Sequence, residues 1–262
     1  MVLILPDLMN ETIILKKKGV KVHNPILIVG LPGIGSVGKI VAEHLKSEFK
    51  ATRIATLYSP HFPHQVVMTK SGGIRLVSNK FYLIKHKPND IVVLTGDFQA
   101  LSPEGQYEVN AKIVKFFKNA LGGKFIYTLG GYISGESNIS KPRVFGNATG
   151  KDVVKEFKGR RIIFGKSKGT IYGSAGMLLA FAKMYGLRGI CVMGEVSFMD
   201  FDASAAKVVM EVMAETLKLK INMKNLDDMI KSAANAVKTV EDQMKAYSQP
   251  GEGGEVKLPY IR

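Results

Sequence analysis

Cysteine is nearly missing from this chain of 262 residues: Cys191 stands alone, so no intrachain disulfide can form. A chain of this length buries roughly 70–75% of its unfolded surface and needs no such staple. Cys191 sits in the apolar run Gly189–Gly194 and reads as a small core residue. The usage fits a reducing interior. Long hydrophobic runs are missing too. Ile26–Val29 is stopped by Gly30 and Met177–Ala182 by Lys183, far short of the roughly 20 residues a membrane span needs. Met1–Leu5 is apolar but has no basic leader and is followed by Pro6 and Asp7, which is not a signal-peptide pattern. A soluble, cytoplasmic protein with no membrane partner is expected. Acidic residues are scarce relative to basic ones, 22 against 37, for a net charge of +15.

The signatures of common chemistries are likewise missing. There is no HExxH, CxxC or G-x-S-x-G, so zinc hydrolysis and the serine elbow lose their usual marks. His61 and His64 flank Phe62–Pro63 at a spacing that does not share a helix face. The basic excess favours an acidic partner. It is spread along the chain, with one tight run at Lys16–Lys18, and it is not interleaved with aromatics or set in a helix-turn-helix, zinc-finger or RNA-binding pattern. A solvated lysine surface accounts for it, and nucleic acid is not the expected partner. No metal or cofactor is expected.

What is present is an alternation of short apolar strands with helical periods. Strands are expected at Ile26–Gly30, Arg53–Leu57, Ile91–Thr95, Phe125–Leu129, Arg161–Phe164 and Gly189–Met193. Helices are expected over Gly38–Phe49, Tyr107–Leu121 after a start at Ser102–Pro103, Lys151–Phe157, Ser174–Tyr185 and Ala203–Leu217. Val66–Thr69 and Ile74–Val77 flank the Gly72–Gly73 turn as a hairpin that Phe81–Ile84 could extend. Ser134–Gly150 reads as a loop with a short strand near Arg143–Gly146. Strand-then-helix alternation argues for an α/β fold, three layers α/β/α, with a mostly parallel sheet covered on both faces. The expected organisation is an α/β domain over 1–220, a C-terminal helix over 221–248 and a flexible tail over 249–262.

The C-terminal helix has its own pattern. Leu226, Ile230, Ala233, Val237, Val240, Met244 and Tyr247 recur with period 3.5 over three heptads. That seam packs either on its own domain or on a second copy, which makes Ile230, Ala233, Val237, Val240 and Met244 the candidate oligomerisation residues. Gln249–Glu255 is a flexible spacer by composition. It leads to Leu258, Pro259, Tyr260, Ile261 and Arg262. A frayed terminus gains nothing from exposing Leu, Tyr and Ile, whereas a docking peptide needs them.

Gly30–Lys39 follows a strand and opens a helix, with G-x-G-x-x-G at Gly33, Gly35 and Gly38 and G-x-x-x-x-G-K ending on Lys39. Such glycines let a phosphate approach a helix N-terminus. The ribose-binding acid is missing at Leu57–Ser59, and Ile40 stands where a phosphate loop needs Ser or Thr. A glycine turn kept for close backbone packing fits both departures. Gly130–Gly135 and Gly169–Gly176 are two further glycine-dense turns. Asp97, Glu136, Glu195, Asp200 and Asp202 lie at strand ends or in loops, where α/β folds place sites. A strand-end acid is more often a cap, and Asp200–Asp202 fits one. No catalytic residue is assigned.

Val29–Gly38, Gly96–Asp97, Gly130–Tyr132, Gly173–Leu179 and Asp202–Ala206 resemble, in order, the blocks of the proteasome assembly chaperone family in its archaeal branch. The resemblance covers about Val2 to Leu219. It implies a fold similar to nucleoside phosphorylases without their activity, self-association, and binding to proteasome 20S α subunits. It also implies a role for the tail. Proteasome activators and many assembly chaperones end in a hydrophobic–Tyr–any tripeptide that inserts between α subunits, its carboxylate pairing with a lysine. Here Tyr260 is third from the end rather than second, which lengthens the reach to the carboxylate by one residue, roughly 3.3–3.6 Å if extended. An oligomeric chaperone or gate-opening activator with tails on the α-ring is the leading expectation. A nucleotide-dependent ligase or phosphorylase-like enzyme using Gly33–Lys39 is the alternative.

Overall fold

The computed structural model describes residues 10–136, 139–165, 169–197, 202–224 and 226–228. The chain divides into two units, Met1–Ile221 and Asn222–Arg262. In the second, Leu226 of the heptad seam is buried. Ile230, Ala233, Val237, Val240, Met244 and Tyr247, and the tail 249–262, lie outside the described residues.

The first unit is built on four apolar strands. β2 (Ile26–Val29) lies between β7 (Ile91–Gly96) and β8 (Phe125–Ile133) and runs parallel to both. β11 (Arg188–Val196) continues the parallel set beyond β8 over nine residue pairs. All six residues of β7 are buried, as a strand covered on both faces must be. On one face α1 (Val37–Glu48) packs with α5 (Ala203–Leu217). On the other, α2 (Pro103–Lys115) packs with α4 (Ser174–Met184). Leu27, Val92, Leu94, Ile113, Phe117, Ile126 and Leu178 close the α2–α4 side of the core. The layers are α/β/α, as the alternation of periods predicts.

Antiparallel strands extend the parallel centre on both sides. Beyond β7 come β6 (Asn79–Ile84), β3 (Thr52–Tyr58) and β1 (Ile13–Lys16). Beyond β11 come β9 (Val144–Ala148), antiparallel to it, and the two-residue β10 (Ile163–Phe164). The nine-stranded order is β1-β3-β6-β7-β2-β8-β11-β9-β10. The short α3 (Lys151–Phe157) sets Phe157 against the rings of Phe125 and Tyr127.

The hairpin forms at Val66–Met68 (β4) and Ile74–Leu76 (β5) as a sheet of its own. The expectation that Phe81–Ile84 extends it is corrected: β6 pairs with β3 and β7. The reason lies at Ser78 and Asp97. The Ser78 amide donates to Asp97 Oδ2 at 3.0 Å, and the Asp97 amide donates to the Ser78 carbonyl at 3.2 Å. These bonds pull the chain out of the hairpin and onto the end of β7. Arg75, between the two exposed apolar residues of β5, reaches back and grips Asp97 with two nitrogens at 2.5 and 2.9 Å.

Helix starts follow the local chemistry. Ser102 Oγ accepts from the Gly105 amide at 3.0 Å, with Pro103 at the first turn of α2. Asp202 Oδ1 accepts from the Ala205 amide at 2.9 Å to cap α5, while Asp200 lies outside the described residues. The expected single helix Tyr107–Leu121 begins at Pro103, and its last turn widens to a π turn over Phe116–Ala120.

Candidate functional site

The sheet order fixes where a site can form. After β2 the chain visits strands on one side of it, and after β8 it visits strands on the other. The connections therefore part at the carboxyl ends of β2 and β8, the usual binding crevice of such sheets. The turn after β2, the end of β8 and the turn before α4 enclose a cavity of about 390 Å³ there.

The glycine turn after β2 is shaped by backbone contacts. A Cβ on Gly30 would strike the Gly38 carbonyl, and one on Gly38 would strike the Leu129 carbonyl. One on Gly131 would sit 2.5 Å from the Ile34 carbonyl. Gly35 has φ +62 and a Val196 methyl 2.9 Å from where its Cβ would be, and its carbonyl accepts from the Asp202 amide at 2.9 Å. These positions need glycine so that α1 can lie against β2 and β8.

Of the candidate ligand-loop residues, Gly33 and Gly38 line the cavity and Gly35 and Lys39 do not. Lys39 turns away along α1. Its Nζ donates to the Gly96 carbonyl at 2.5 Å and pairs with Glu43 at 3.1 Å. Glu43 also accepts from Thr95 Oγ1 at 3.1 Å and pairs with Lys46. Burial works against the Glu43 carboxylate, but the two lysines hold its pKa below the ordinary value. The lysine of the phosphate-loop pattern thus bridges α1 to β7, and among the described residues no cationic side chain lines the cavity at this turn.

The strand-end acids are engaged in the same structural way. Asp97 holds Arg75. Glu195, 1% exposed, accepts from the Arg143 amide at 3.0 Å and from Nε at 2.8 Å, and Arg143 also reaches Glu136 at 2.7 Å. The Arg143 guanidinium holds the Glu195 pKa down against burial. His61 Nε2 lies 2.8 Å from Glu108. Burial pushes the Cys191 thiol up to about 11, which keeps it protonated and inert. Among the described residues no group of three His, Cys, Asp or Glu could hold a metal ion.

Sequence reading missed the residue that sets the rim. Gln99, just past β7, donates from Nε2 to the Pro32 carbonyl at 2.5 Å and accepts at Oε1 from the Ser174 amide at 2.7 Å. One side chain therefore ties the turn after β2 to the start of α4. Behind it Gln106 donates to the Ala100 carbonyl at 2.7 Å, and Asn110 donates to Gln106 Oε1 at 2.9 Å. The only sequence signal was indirect: both glycine-dense turns that Gln99 joins, Gly30–Gly38 and Gly169–Gly176, stood out.

Comparison with known proteins places the chain. A family model described as the PAC2 family matches residues 27–241. An uncharacterised protein of Methanocaldococcus jannaschii is 38% identical over 242 residues, covering 91% of this chain and 93% of that protein. Among solved structures, Pyrococcus furiosus PbaB, described as an archaeal proteasome activator, superposes with a TM-score of 0.80 at 37% identity over 88% of this chain and 99% of that one. Pyrococcus furiosus PbaA, described as an archaeal homologue of a proteasome-assembly chaperone, gives a TM-score of 0.73 at 24% identity over 90% of this chain and 94% of that one, a likeness of fold.

Proposed function

Because the chain belongs to the PAC2 family, that of the proteasome assembly chaperones, we propose that it is a proteasome chaperone and activator that docks on the 20S α-ring through its C-terminal tails. The observation that carries this reading is the 37% identity to PbaB, sustained over 88% of this chain. The tail supports the mode of docking. Gln249–Glu255 is a spacer, and Leu258, Pro259, Tyr260, Ile261 and Arg262 supply an apolar-aromatic tag. Tyr260 fills an apolar pocket with its ring and offers a hydroxyl to a partner at the rim.

Self-association through Ile230, Ala233, Val237, Val240 and Met244 completes the proposal. Several tails on one oligomer raise the effective concentration of each, so avidity exceeds the affinity of a single peptide wherever the spacers reach neighbouring pockets. The engagement of Lys39 with Gly96 and Glu43 supports a binding protein over the ligase or phosphorylase alternative. The test is binding to immobilised 20S proteasome by the full chain and by a variant ending at Ser248. The full chain binds, and the shortened one loses at least tenfold in affinity while keeping its circular dichroism spectrum. Equal binding by both overturns tail docking.

A further inference from the structure

The described lining of the cavity at the carboxyl ends of β2 and β8 comes from the first unit, and its walls have a definite chemistry. Its floor is a stretch of strand without side chains. Gly130 faces the cavity, and a Cβ there would meet nothing nearer than Ala175 at 3.7 Å. This glycine differs from Gly38 and Gly131, which are closed in by backbone: it leaves open space in front of a flat peptide surface. Leu31, Ile171 and Met193 supply apolar walls. Tyr172 stands at the rim with 81% of its surface exposed. A tyrosine ring left so exposed beside an apolar cavity has most of its burial still to gain from an occupant.

The polar complement is neutral. Thr170, Asn147 and Gln99 are its uncharged polar lining, and the Ser174 hydroxyl is turned to Gln106 Oε1 at 3.4 Å. Among the described lining residues none is Lys, Arg, His, Asp or Glu. The rim is also held in advance of any ligand by Gln99 and its supporting amides, Gln106 and Asn110. A site held by packed second-layer hydrogen bonds binds without first having to be ordered. A volume of about 390 Å³ falls in the range of small-molecule pockets, roughly 300–1,000 Å³.

We propose that this cavity binds a neutral, planar aromatic small molecule, lying on the Gly130–Gly131 backbone and covered at the rim by the Tyr172 ring. The proposal goes beyond the proteasome reading and stands apart from it. It also separates the site from nucleotide chemistry. A phosphate placed here would leave water for a mainly apolar lining that, among the described residues, carries no cationic side chain, an unfavourable transfer.

The test uses the full-length protein and a matched pair of probes, 2-naphthol and 2-naphthyl phosphate, titrated by calorimetry. Expected is saturable binding of one 2-naphthol per chain, with the phosphate ester at least tenfold weaker. Gly130→Leu, which puts a side chain into the open space over the floor, abolishes binding while the circular dichroism spectrum is kept. Tyr172→Ala, an exposed change that any folded variant tolerates, weakens binding about two- to tenfold, as loss of a ring contact does. Met68→Ser with Ile74→Ser on the exposed hairpin leaves binding unchanged. No saturable binding, equal or tighter binding of the phosphate ester, or full binding by Tyr172→Ala overturns the proposal. So does binding retained in a folded Gly130→Leu protein.

Discussion

Glu195 shows what a single side chain contributes here and how little of it a sequence discloses. Its place at the end of β11 follows from the apolar run before it. Its partner does not, because Arg143 is 52 residues away at the foot of β9 and meets it only through the antiparallel pairing of those strands. The same limit applies to Lys39: the spacing that suggests a phosphate loop is legible, but the direction of the side chain, toward Gly96, is set by packing. The Glu195 pair has a consequence in pH. Hydrogen bonding to Arg143 lowers the folded pKa of Glu195 below the unfolded value of about 4.3. Stability from the pair is therefore fully present above that value and is lost as pH falls through the folded pKa. Asp97, lowered by Arg75 against burial, and Asp90, lowered by Lys85 and two backbone amides against burial, act with the same sign. The thermal midpoint should decline gently below about pH 6.5, where burial, by lowering the His44 pKa, makes its protonation costly in the fold, and fall more steeply below about pH 4 as these carboxylates protonate. Glu195→Gln should start lower at pH 7 and decline less steeply. Parallel curves for the two proteins would show that the pair carries no pH dependence.

Elements with a strong period were legible, and those that depend on a partner were not. β2 and β7 announce themselves as bounded Ile–Val runs, and α2 by Ser102–Pro103 ahead of an apolar face. β1 is four residues ending in Lys16 and exists because β3 offers an edge to pair with. β8 runs on through Gly130–Gly131, where glycines suggest a turn, because β11 pairs with it through Ile133. The hairpin was visible, yet its separation from β6 depends on Asp97. Caps were readable wherever the capping residue precedes a clear period. Asp202 is the sharpest case. Asp202→Ala removes the bond to the Ala205 amide and should cost about 1 kcal/mol, read as a lower urea midpoint with an unchanged slope. A change below about 0.3 kcal/mol would mean that another group caps α5 in its place.

For the whole molecule, alternation of strand and helix was enough to give three layers with a parallel centre. The strand order was not legible, since every excursion from β2 to β7 and from β8 to β11 is decided by edges that form only in the folded sheet. The cavity follows from that order, so its location was out of reach even though two of its glycine turns were conspicuous. Function lies at the same scale. The globular unit resembles PbaB along most of its length, and the tail Leu258–Arg262, to which the proposal assigns docking, follows the family's matched region, which ends at residue 241. If the chain self-associates as proposed, several tails would meet a ring with several pockets, and the gain would be one of avidity.

Hydrolysis of a small fluorogenic peptide by purified 20S proteasome tests this most directly, with the full chain and the variant ending at Ser248 added in turn. Stimulation by the full chain and none by the shortened one is the predicted result. Equal stimulation by both, or none by either together with no α-ring binding, would contradict the account.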